Sequence, residues 1–367
     1  MYVGLDVHKD FCQAAFLDVD GKLVREERFE NTASGLEELA RATREQEVVM
    51  ESSTSSMHLY DALHETCKVK VAHPSRVKAI ASARIKTDKI DARILAHLLR
   101  ADLIPESYVP SKQHRQARLL VRQRASLVEV RTQIKNKIHA LMTREGIKMP
   151  FKDSFGKKTI LFLKSVDIGE AQRASLDSLL VVLETMNKQV EQFNRHINDY
   201  ASEDEYAKLL ATHTGVGWLT ALAVSSEICD ITRFSSHKKL CSYFGLVPSV
   251  YQSGNADRKG HITKQGNAML RSLLVQCAWS AVKYSPRFRR KYNKLRKKTG
   301  NQKAIVAVAR TIAVDMYFML VRNETYKERK GGKPVIAHGH KDRHCRLGSS
   351  PPHDSTPCAT STNRRMS

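Results

Sequence analysis

Acidic residues are scarce in this chain relative to basic ones. Among 367 residues, 61 are Lys or Arg and 38 are Asp or Glu, which gives a formal net charge of +23. A basic excess of this size attracts phosphate backbones and favours a nucleic-acid partner. A ribosomal or packaging protein would have the same charge, so charge alone does not separate a structural role from a catalytic one.

The sequence also lacks the features of a secreted or membrane-spanning protein. No apolar run approaches the roughly 20 residues that span a bilayer. No basic start followed by an apolar stretch marks a signal peptide. The seven cysteines show no paired spacing, so we expect mostly buried thiols in a reducing, cytoplasmic compartment.

Four acidic residues in the first hundred positions form the most informative pattern. Asp6 and Glu51 each end a short β-like run, and Asp88 and Asp91 lie three apart on one face of a predicted helix. Carboxylates held together repel by roughly 4 kcal/mol per close pair at an effective dielectric of about 20, so such a cluster needs cations. Carboxylate oxygens suit Mg²⁺ or Mn²⁺, and two such ions can clamp the attacking and leaving oxygens of a phosphodiester. The pattern predicts metal-dependent phosphoryl transfer on a nucleic acid.

The order of predicted elements in residues 1–108 indicates an α/β, RNase H-like fold. Three strands form an antiparallel meander, after which helices and strands alternate. In that fold the first acid lies on strand one, the second ends strand four and the last two lie on the closing helix, so all four could converge. The predicted strands are 3–7, 12–17, 23–29, 48–50 and 69–73, and the predicted helices are 35–46, 56–67 and, with Thr87 as N-cap, 88–100.

The rest of the chain is predicted to be mainly helical. Residues 109–203 contain two long heptad-like helices, which indicate a coiled coil within the chain or between protomers; core packing within one chain explains the pattern equally well. Residues 204–325 form a helical C-terminal domain, and 326–367 lose all periodicity and are expected to be disordered. The first long helix has a basic face that is either solvated or in contact with phosphate, formed by Arg115, Arg118, Arg122, Arg124, Arg131, Lys135 and Lys137.

Two smaller patterns could contact phosphate. In Thr214-Gly215-Val216-Gly217, the turn at Gly215 and Gly217 would present backbone N–H groups at a helix N-terminus, although such turns are common between helices. Arg84 and Lys86 precede the paired aspartates and could hold a scissile phosphate, or they could be solvated loop charges.

Over residues 1–325 the chain resembles the DEDD insertion-sequence transposases of the IS-one-ten group, which act as bridge-RNA-guided recombinases. The resemblance depends on motifs that occur in the family's order. These are Gly4-Leu5-Asp6-Val7-His8-Lys9, Met50-Glu51, Lys86-Thr87-Asp88-Lys89-Ile90-Asp91-Ala92, the turn at 214–217, Gly245-Leu246-Val247-Pro248 with Gln252-Ser253-Gly254, and Gly266-Asn267 with Leu270-Arg271.

The resemblance implies a RuvC-like N-terminal domain, a coiled-coil insertion and a C-terminal transposase domain. Its metal-binding acids match Asp6, Glu51, Asp88 and Asp91 and would bind Mg²⁺ or Mn²⁺.

The family's nucleophilic serine falls, by motif, on Ser253. Gly254 beside it would let the backbone approach a phosphate, and Arg258 and Arg271 are candidate phosphate contacts nearby. A serine hydroxyl needs a metal or base to activate it, and a serine in a Gly-rich loop commonly satisfies local amides instead. Thr263 stands where the family has a serine, which puts any hydroxyl role at that position in doubt.

The implied function is movement of an insertion sequence between donor and target DNA, directed by a structured guide RNA. Synapsis of two duplexes implies a dimer or tetramer, associated with the nucleoid when active. Three alternatives remain. The first is a Piv-like DNA invertase, and the second is a Holliday-junction resolvase-like nuclease that needs the four acids but not Ser253. The third is a non-catalytic nucleic-acid-binding protein in which the four acids are dispensable.

Overall fold

The computed structural model describes residues 1–81, 87–253, 256–263 and 266–327, without the side chains of residues 250–259. The predictions for Arg84, Lys86, Gly254 and the tail from 328 onward therefore lie outside the described residues. The chain divides into two compact units, Met1–Pro110 and Ser111–Ser367, and each has a hydrophobic core of its own.

The first unit is built around a five-stranded mixed sheet. Its elements are β1 (Tyr2–Val7), β2 (Phe11–Leu17), β3 (Leu23–Glu30), α1 (Ala33–Ala42), β4 (Glu47–Glu51), α2 (Ser56–Leu63), β5 (Lys68–Ala72), α3 (Pro74–Ile80) and α4 (Asp88–Arg100). The strand order is β3-β2-β1-β4-β5. Strands β1 to β3 pair antiparallel, as the predicted meander requires, and β4 and β5 continue the sheet in parallel with β1.

Helices cover both faces of this sheet. Leu39 of α1 and Leu59 of α2 pack on one face, while Leu95 of α4 packs with Val49 on the other. Because successive strand residues point to opposite faces, the neighbours of Val49 in β4 belong to the first face. Burial on both faces explains why β4 reads as an unbroken apolar run.

The structure changes several predicted boundaries in this unit. Helix α4 begins and ends where predicted, and the Thr87 hydroxyl caps it by accepting from the Ile90 N–H at 3.3 Å. Helix α1 ends at Ala42 instead of 46, because the chain reaches a left-handed conformation at Glu45 (φ 59°). Helix α2 ends at Leu63 instead of 67. Helix α3, with Pro74 in its first turn, was not predicted.

Two long helices of the second unit pack side by side and antiparallel. They are α5 (Lys112–Arg144) and α7 (Glu170–Glu203), separated by the short α6 (Lys157–Ser165). The Tyr200 hydroxyl donates to Gln116 Oε1 at 2.7 Å, and Arg131 Nη1 donates to Asn187 Oδ1 at 3.5 Å. The two heptad-like stripes thus meet within one chain, and a supercoil or a contact between protomers stays a prediction.

The predicted basic face of α5 is only partly an outer face. Arg118 is 18% exposed and its Nε donates to the Ser226 carbonyl at 2.8 Å. Arg124 Nε donates to Asn194 Oδ1 at 3.1 Å. These two guanidinium groups connect α5 to other helices, whereas Arg122 and Lys137 are exposed.

The remaining helices of the second unit enclose one core. They are α8 (Glu205–Ala211), α9 (Trp218–Ile228), α10 (His237–Tyr243), α11 (Ala268–Tyr284), α12 (Pro286–Thr299) and α13 (Asn301–Arg322). A hairpin that was not predicted, β6 (Pro248–Ser253) with β7 (Ala256–Ile262), leaves this core between α10 and α11. Val121 of α5 and Ile197 of α7 belong to the same core, so the regions predicted as 109–203 and 204–325 lie in one unit.

Helix α13 is long and apolar enough to cross a membrane by length and composition, which the sequence prediction did not anticipate. Its side chains Ile305, Val308, Ile312 and Met316 lie in the core of the second unit. Burial inside the protein therefore accounts for the apolar character of this helix.

Candidate functional site

Asp6 and Glu51 lie level with each other at the ends of two neighbouring strands. In the parallel pair β1–β4, Leu5 is the partner of Met50, so the next residues on each strand are Asp6 and Glu51. Residues at matched positions of parallel strands point to the same face of the sheet. Asp6 is two residues beyond Gly4, and this face is the one that α4 covers.

Gly4 brings α4 unusually close to the sheet. A Cβ atom at Gly4 would collide with the Ala92 carbonyl oxygen and would lie 2.6 Å from the Ala96 nitrogen. A residue without a side chain is therefore required here. The close approach brings the first turn of α4, which contains Asp88 and Asp91, toward the ends of β1 and β4.

His8 lies between Asp6 of β1 and Asp88 of α4 and contacts both. Its Nε2 lies 3.1 Å from Asp6 Oδ2 and 3.3 Å from Asp88 Oδ1. The side chains of His8, Asp6 and Asp88 are 39%, 23% and 49% exposed, so a ligand has access from solvent. Asp6 and Asp88, predicted from sequence to converge, are thus brought together.

Asp91 is also within electrostatic reach of this pair. The pKa of Asp6 is raised above its ordinary value, mainly by burial. The charge and hydrogen bond of His8 act to lower this pKa, whereas the negative charges of Asp88 and Asp91 act to raise it. Asp6 therefore feels both acids of α4 as like charges. This is the unfavourable arrangement for which the sequence predicted a cation.

The donor atoms at this edge fit a hard divalent cation. One ligand atom each from Asp6, His8 and Asp88 lies within 4.8 Å of the other two. Glu51 stands beside Asp6 through the strand register, and Asp91 is one helical turn from Asp88. A set dominated by carboxylate oxygens is the one that Mg²⁺ and Mn²⁺ prefer.

Ser253, the predicted nucleophile, is the last residue of β6. It pairs with Ala256, and residues 254 and 255 lie outside the described part of the chain. Arg258 lies on β7 opposite Tyr251, and only its backbone is described. At the base of the hairpin the Thr263 N–H donates to the Val247 carbonyl at 2.9 Å. Within the described part of the chain, the buried Thr263 hydroxyl has no hydrogen-bond partner.

The two glycines of the predicted phosphate-binding turn have different surroundings. Gly215 has a φ of +90°, and a Cβ there would lie 2.7 Å from the Ala281 nitrogen and 2.8 Å from the Cys277 carbonyl oxygen. Gly215 is therefore required by packing on α11. Gly217 is exposed and is the N-cap of α9, and no atom of the described residues lies within 4 Å of a Cβ built on it.

Gly217 is nevertheless joined to the core through its backbone. Burial raises the pKa of the Cys277 thiol to about 11, and a backbone hydrogen bond from Gly217 acts in the opposite direction. Phosphate contact at this turn stays a prediction. For Arg271, the structure places Nη1 3.1 Å from the Gly266 carbonyl, to which it donates.

One buried carboxylate was missed by the sequence analysis. Glu227 ends inside the second unit, where Asn267 Nδ2 donates to it at 2.8 Å and the Tyr243 hydroxyl donates at 3.4 Å. Arg118 and Arg122 of α5 lie 3.5 and 3.4 Å from its oxygens. Since Tyr243 precedes the β6–β7 hairpin and Asn267 follows it, Glu227 joins the segments on either side of the element that carries Ser253. The available signal was a lone glutamate in the otherwise apolar α9.

Two family models match the chain. One, a transposase model of the DEDD and IS110 type, matches residues 3–146, and the other, described as "Transposase IS116/IS110/IS902 family", matches residues 207–293. Together they cover more than half of the sequence. The first match includes the whole five-stranded sheet, so the predicted RNase H-like class is confirmed for the first unit.

Individual relatives extend this similarity along the chain. The transposase for insertion sequence element IS1111A of Coxiella burnetii is 28% identical over 346 residues, which is 89% of this chain and 91% of that protein. A Sinorhizobium fredii protein, whose name also describes a transposase, is 32% identical over 68% of this chain but over only 62% of its own length. The pilin gene-inverting protein of Moraxella bovis is 26% identical over 89% of this chain and 98% of that protein.

Proposed function

Because the chain belongs to the IS110-type DEDD transposases, we propose that it is a DNA recombinase that moves an insertion sequence by metal-dependent serine attack on phosphodiesters. The observation that carries this proposal is the acid site of the first unit, where residues far apart in sequence meet. The fold brings these like charges within reach of one imidazole, and a bound cation would offset the repulsion between them.

In this proposal Asp6, Glu51, Asp88 and Asp91 hold Mg²⁺ or Mn²⁺. The bound cations supply charge neutralisation at the scissile phosphate and help to activate the attacking hydroxyl. The four carboxylates orient the phosphodiester indirectly, by fixing where positive charge is available. Asp88 is 49% exposed, so a nucleic-acid strand could approach it from solvent.

Ser253 would supply the nucleophile. Its Oγ forms a bond to phosphorus while the bond from phosphorus to one sugar oxygen breaks; the serine proton is released and the leaving oxygen takes one up. The phosphoserine ester keeps the energy of the phosphodiester. A sugar hydroxyl of another strand can therefore reverse the attack, release Ser253 and rejoin the DNA. The position of Ser253 at the end of β6, in a hairpin whose flanking residues Tyr243 and Asn267 both contact Glu227, supports this role.

The proposed partners are donor and target DNA, with a structured guide RNA. The net charge of +23 supports polyanionic partners. Helix α12 contains no acidic residue, and its solvent-facing bases are Arg289, Arg290, Lys291, Lys294, Arg296, Lys297 and Lys298. RNA guidance follows from the family resemblance, and a dimer or tetramer follows from the need to hold two duplexes at once.

A denaturing gel tests the serine mechanism. The full chain is expressed with its element's flanking DNA as wild type, Ser253→Ala and Asp88→Ala. We expect a covalent protein–DNA adduct in the wild type and in neither variant. DNA cleavage without an adduct, retained in Ser253→Ala, would instead indicate a resolvase-like hydrolase that uses water.

Site-specific DNA inversion is the second candidate function. The pilin gene-inverting protein aligns with nearly the full length of both chains, so the same architecture serves a protein named for inversion. The two functions share the acids and the serine and differ in the DNA on which they act. Sequencing of the junctions formed on a substrate with inverted sites and on one with separate donor and target sites would separate them.

A further inference from the structure

We propose that His8 is a direct ligand of the divalent cation held by Asp6 and Asp88, so that this chain has a mixed nitrogen and oxygen site that favours Mn²⁺ over Mg²⁺. The inference rests on the proposed function, since it needs the acid site to be a cation site. The sequence analysis assigned His8 no ligand role.

Two of the three spacings between the donor atoms match those of neighbouring metal ligands. His8 Nε2 lies 3.1 Å from Asp6 Oδ2 and 3.3 Å from Asp88 Oδ1, and one ligand atom from each of the three residues lies within 4.8 Å of the other two. Neighbouring ligands in an octahedral shell with bonds of about 2.1 Å are about 3.0 Å apart. A cation could therefore contact all three side chains after a small adjustment of the carboxylates.

The imidazole ring is already held in place. The His8 backbone N–H donates to the Phe11 carbonyl at 2.9 Å, and Asn31 Nδ2 donates to the His8 carbonyl at 2.6 Å. The ring packs on that of Phe11 with centroids 4.8 Å apart. Because the short connection between β1 and β2 fixes both backbone and ring, binding a cation requires little ordering of this residue.

The simpler alternative is that His8 is a counter-ion that the metal displaces. A protonated imidazole would supply only one positive charge. It contacts two carboxylates, and the negative charge of a third, Asp91, acts on the same site. The residual negative charge still calls for a cation. Nε2 lies within 3.3 Å of both carboxylate oxygens, and a neutral imidazole has one ring nitrogen with a free lone pair, so His8 can remain as a ligand.

A nitrogen ligand changes which ion the site prefers. Imidazole suits transition metals, whereas Mg²⁺ is bound by carboxylates, phosphates and water. With His8 as a ligand, the preference of the site for Mn²⁺ over Mg²⁺ should be larger than the preference of a site made of carboxylates alone. Replacing His8 should reduce that factor, even where the acids still bind both ions.

Pulsed electron paramagnetic resonance of bound Mn²⁺ in the full chain tests this inference. Wild type, His8→Ser and the control His64→Ser, which changes an exposed histidine at the end of α2, are compared. We expect nitrogen modulation from a coordinated imidazole in the wild type and in His64→Ser, and its loss in His8→Ser. The ratio of Mn²⁺ to Mg²⁺ affinity should fall by about 10-fold in His8→Ser alone.

Asp88→Asn separates a failure of this inference from a failure of the acid site. If Mn²⁺ binding depends on Asp88 but shows no nitrogen modulation, or keeps it in His8→Ser, His8 is not a ligand and the acid site stands. If the wild type binds no Mn²⁺, or binds it equally well in Asp88→Asn, the proposed cation site itself is wrong and the role of His8 fails with it.

Discussion

The two units present their candidate functional groups in opposite ways. In the first unit, Asp6 and Asp88 are like charges held close together in partly exposed positions, and Asp91 adds to their repulsion. In the second unit, Glu227 is 8% exposed and accepts hydrogen bonds from Tyr243 and Asn267, which flank the hairpin that carries Ser253. The acids of the first unit are proposed to need a cation, whereas the partners of Glu227 come from its own chain.

This difference separates the two kinds of damage that a substitution can cause. Removing an acid from the first unit relieves repulsion between carboxylates and should leave folding intact. Removing Glu227 takes the shared acceptor away from Arg118, Tyr243 and Asn267, and polar groups left without a partner destabilise the fold. Substitution of an acid in the first unit should therefore lower activity without lowering stability, whereas substitution of Glu227 should lower both.

The largest expected effect is on catalysis, from Asp88→Asn. The substitution keeps size and helix position but removes a charge that attracts the cation. Strand transfer should fall by about 100-fold to 1,000-fold, the effect of losing one electrostatic group in an active site. The thermal midpoint should stay within a few degrees of the wild type. Glu65→Gln, at an exposed acid after α2, is the matched control and should change neither quantity.

The next effect tests whether packing requires glycine at position 215 in the turn before α9. Gly215→Ala adds a methyl group against the backbone of α11 at a positive φ, so it should destabilise the protein by about 2–4 kcal/mol. Gly217→Ala enters open space and should destabilise it by less than about 1 kcal/mol. Chemical denaturation of both variants measures the difference. Equal losses would show that the contact of Gly215 with α11 is not what requires glycine.

Glu227→Gln tests whether the hairpin is held from its base. The amide keeps the shape but weakens the contacts with Arg118 and Arg122, so a stability loss of about 1–2 kcal/mol is expected. Backbone amides of β6 and β7 should exchange faster with deuterium, and adduct formation should slow while DNA affinity is kept. If adduct formation slows while deuterium exchange in the hairpin is unchanged, Glu227 has another role.

The smallest effect is a pH dependence of stability that arises at Asp315 of α13 in the second unit. Burial alone would raise the pKa of Asp315, but hydrogen bonds from His213 and Arg287 and the charge of Arg287 hold it below its ordinary value of 3.8. A lowered pKa means that the ionised form stabilises the fold. This contribution is present above about pH 4 and is lost as pH falls through the lower pKa of the folded state.

Asp315→Asn should therefore reduce stability near neutral pH and flatten its decline in acid, as measured by thermal unfolding between pH 2 and 7. Strand transfer at neutral pH and low temperature should be little changed. A decline in acid as steep as that of the wild type would show that other carboxylates dominate it.

Sequence reasoning succeeded where the signal was local. Thr87 before Asp88 marked the start of α4, and the strand meander gave the sheet order from which the meeting of Asp6 and Asp88 followed. The coincidence of those two acids is a consequence of topology. Any chain with this order of elements and this close approach at Gly4 would bring them near each other.

It failed where the cause was a contact between distant residues. The packing that requires glycine at position 215 was missed, because its neighbour on α11, Ala281, is distant in the sequence. Glu227 was not singled out, because its partners come from α5, α10 and the start of α11. The β6–β7 hairpin was read as a loop, since its glycines and hydroxyls obscure the strand pattern.

Mass spectrometry of the DNA-linked peptide tests the central claim most directly. The wild-type chain is trapped on its element's DNA, digested with protease and nuclease, and the residue that retains a nucleotide is identified. We predict a nucleotide ester on Ser253, formed only with Mg²⁺ or Mn²⁺ and absent in Asp88→Asn. A nucleotide on any other residue, or an ester on Ser253 formed without divalent cations, would contradict the account.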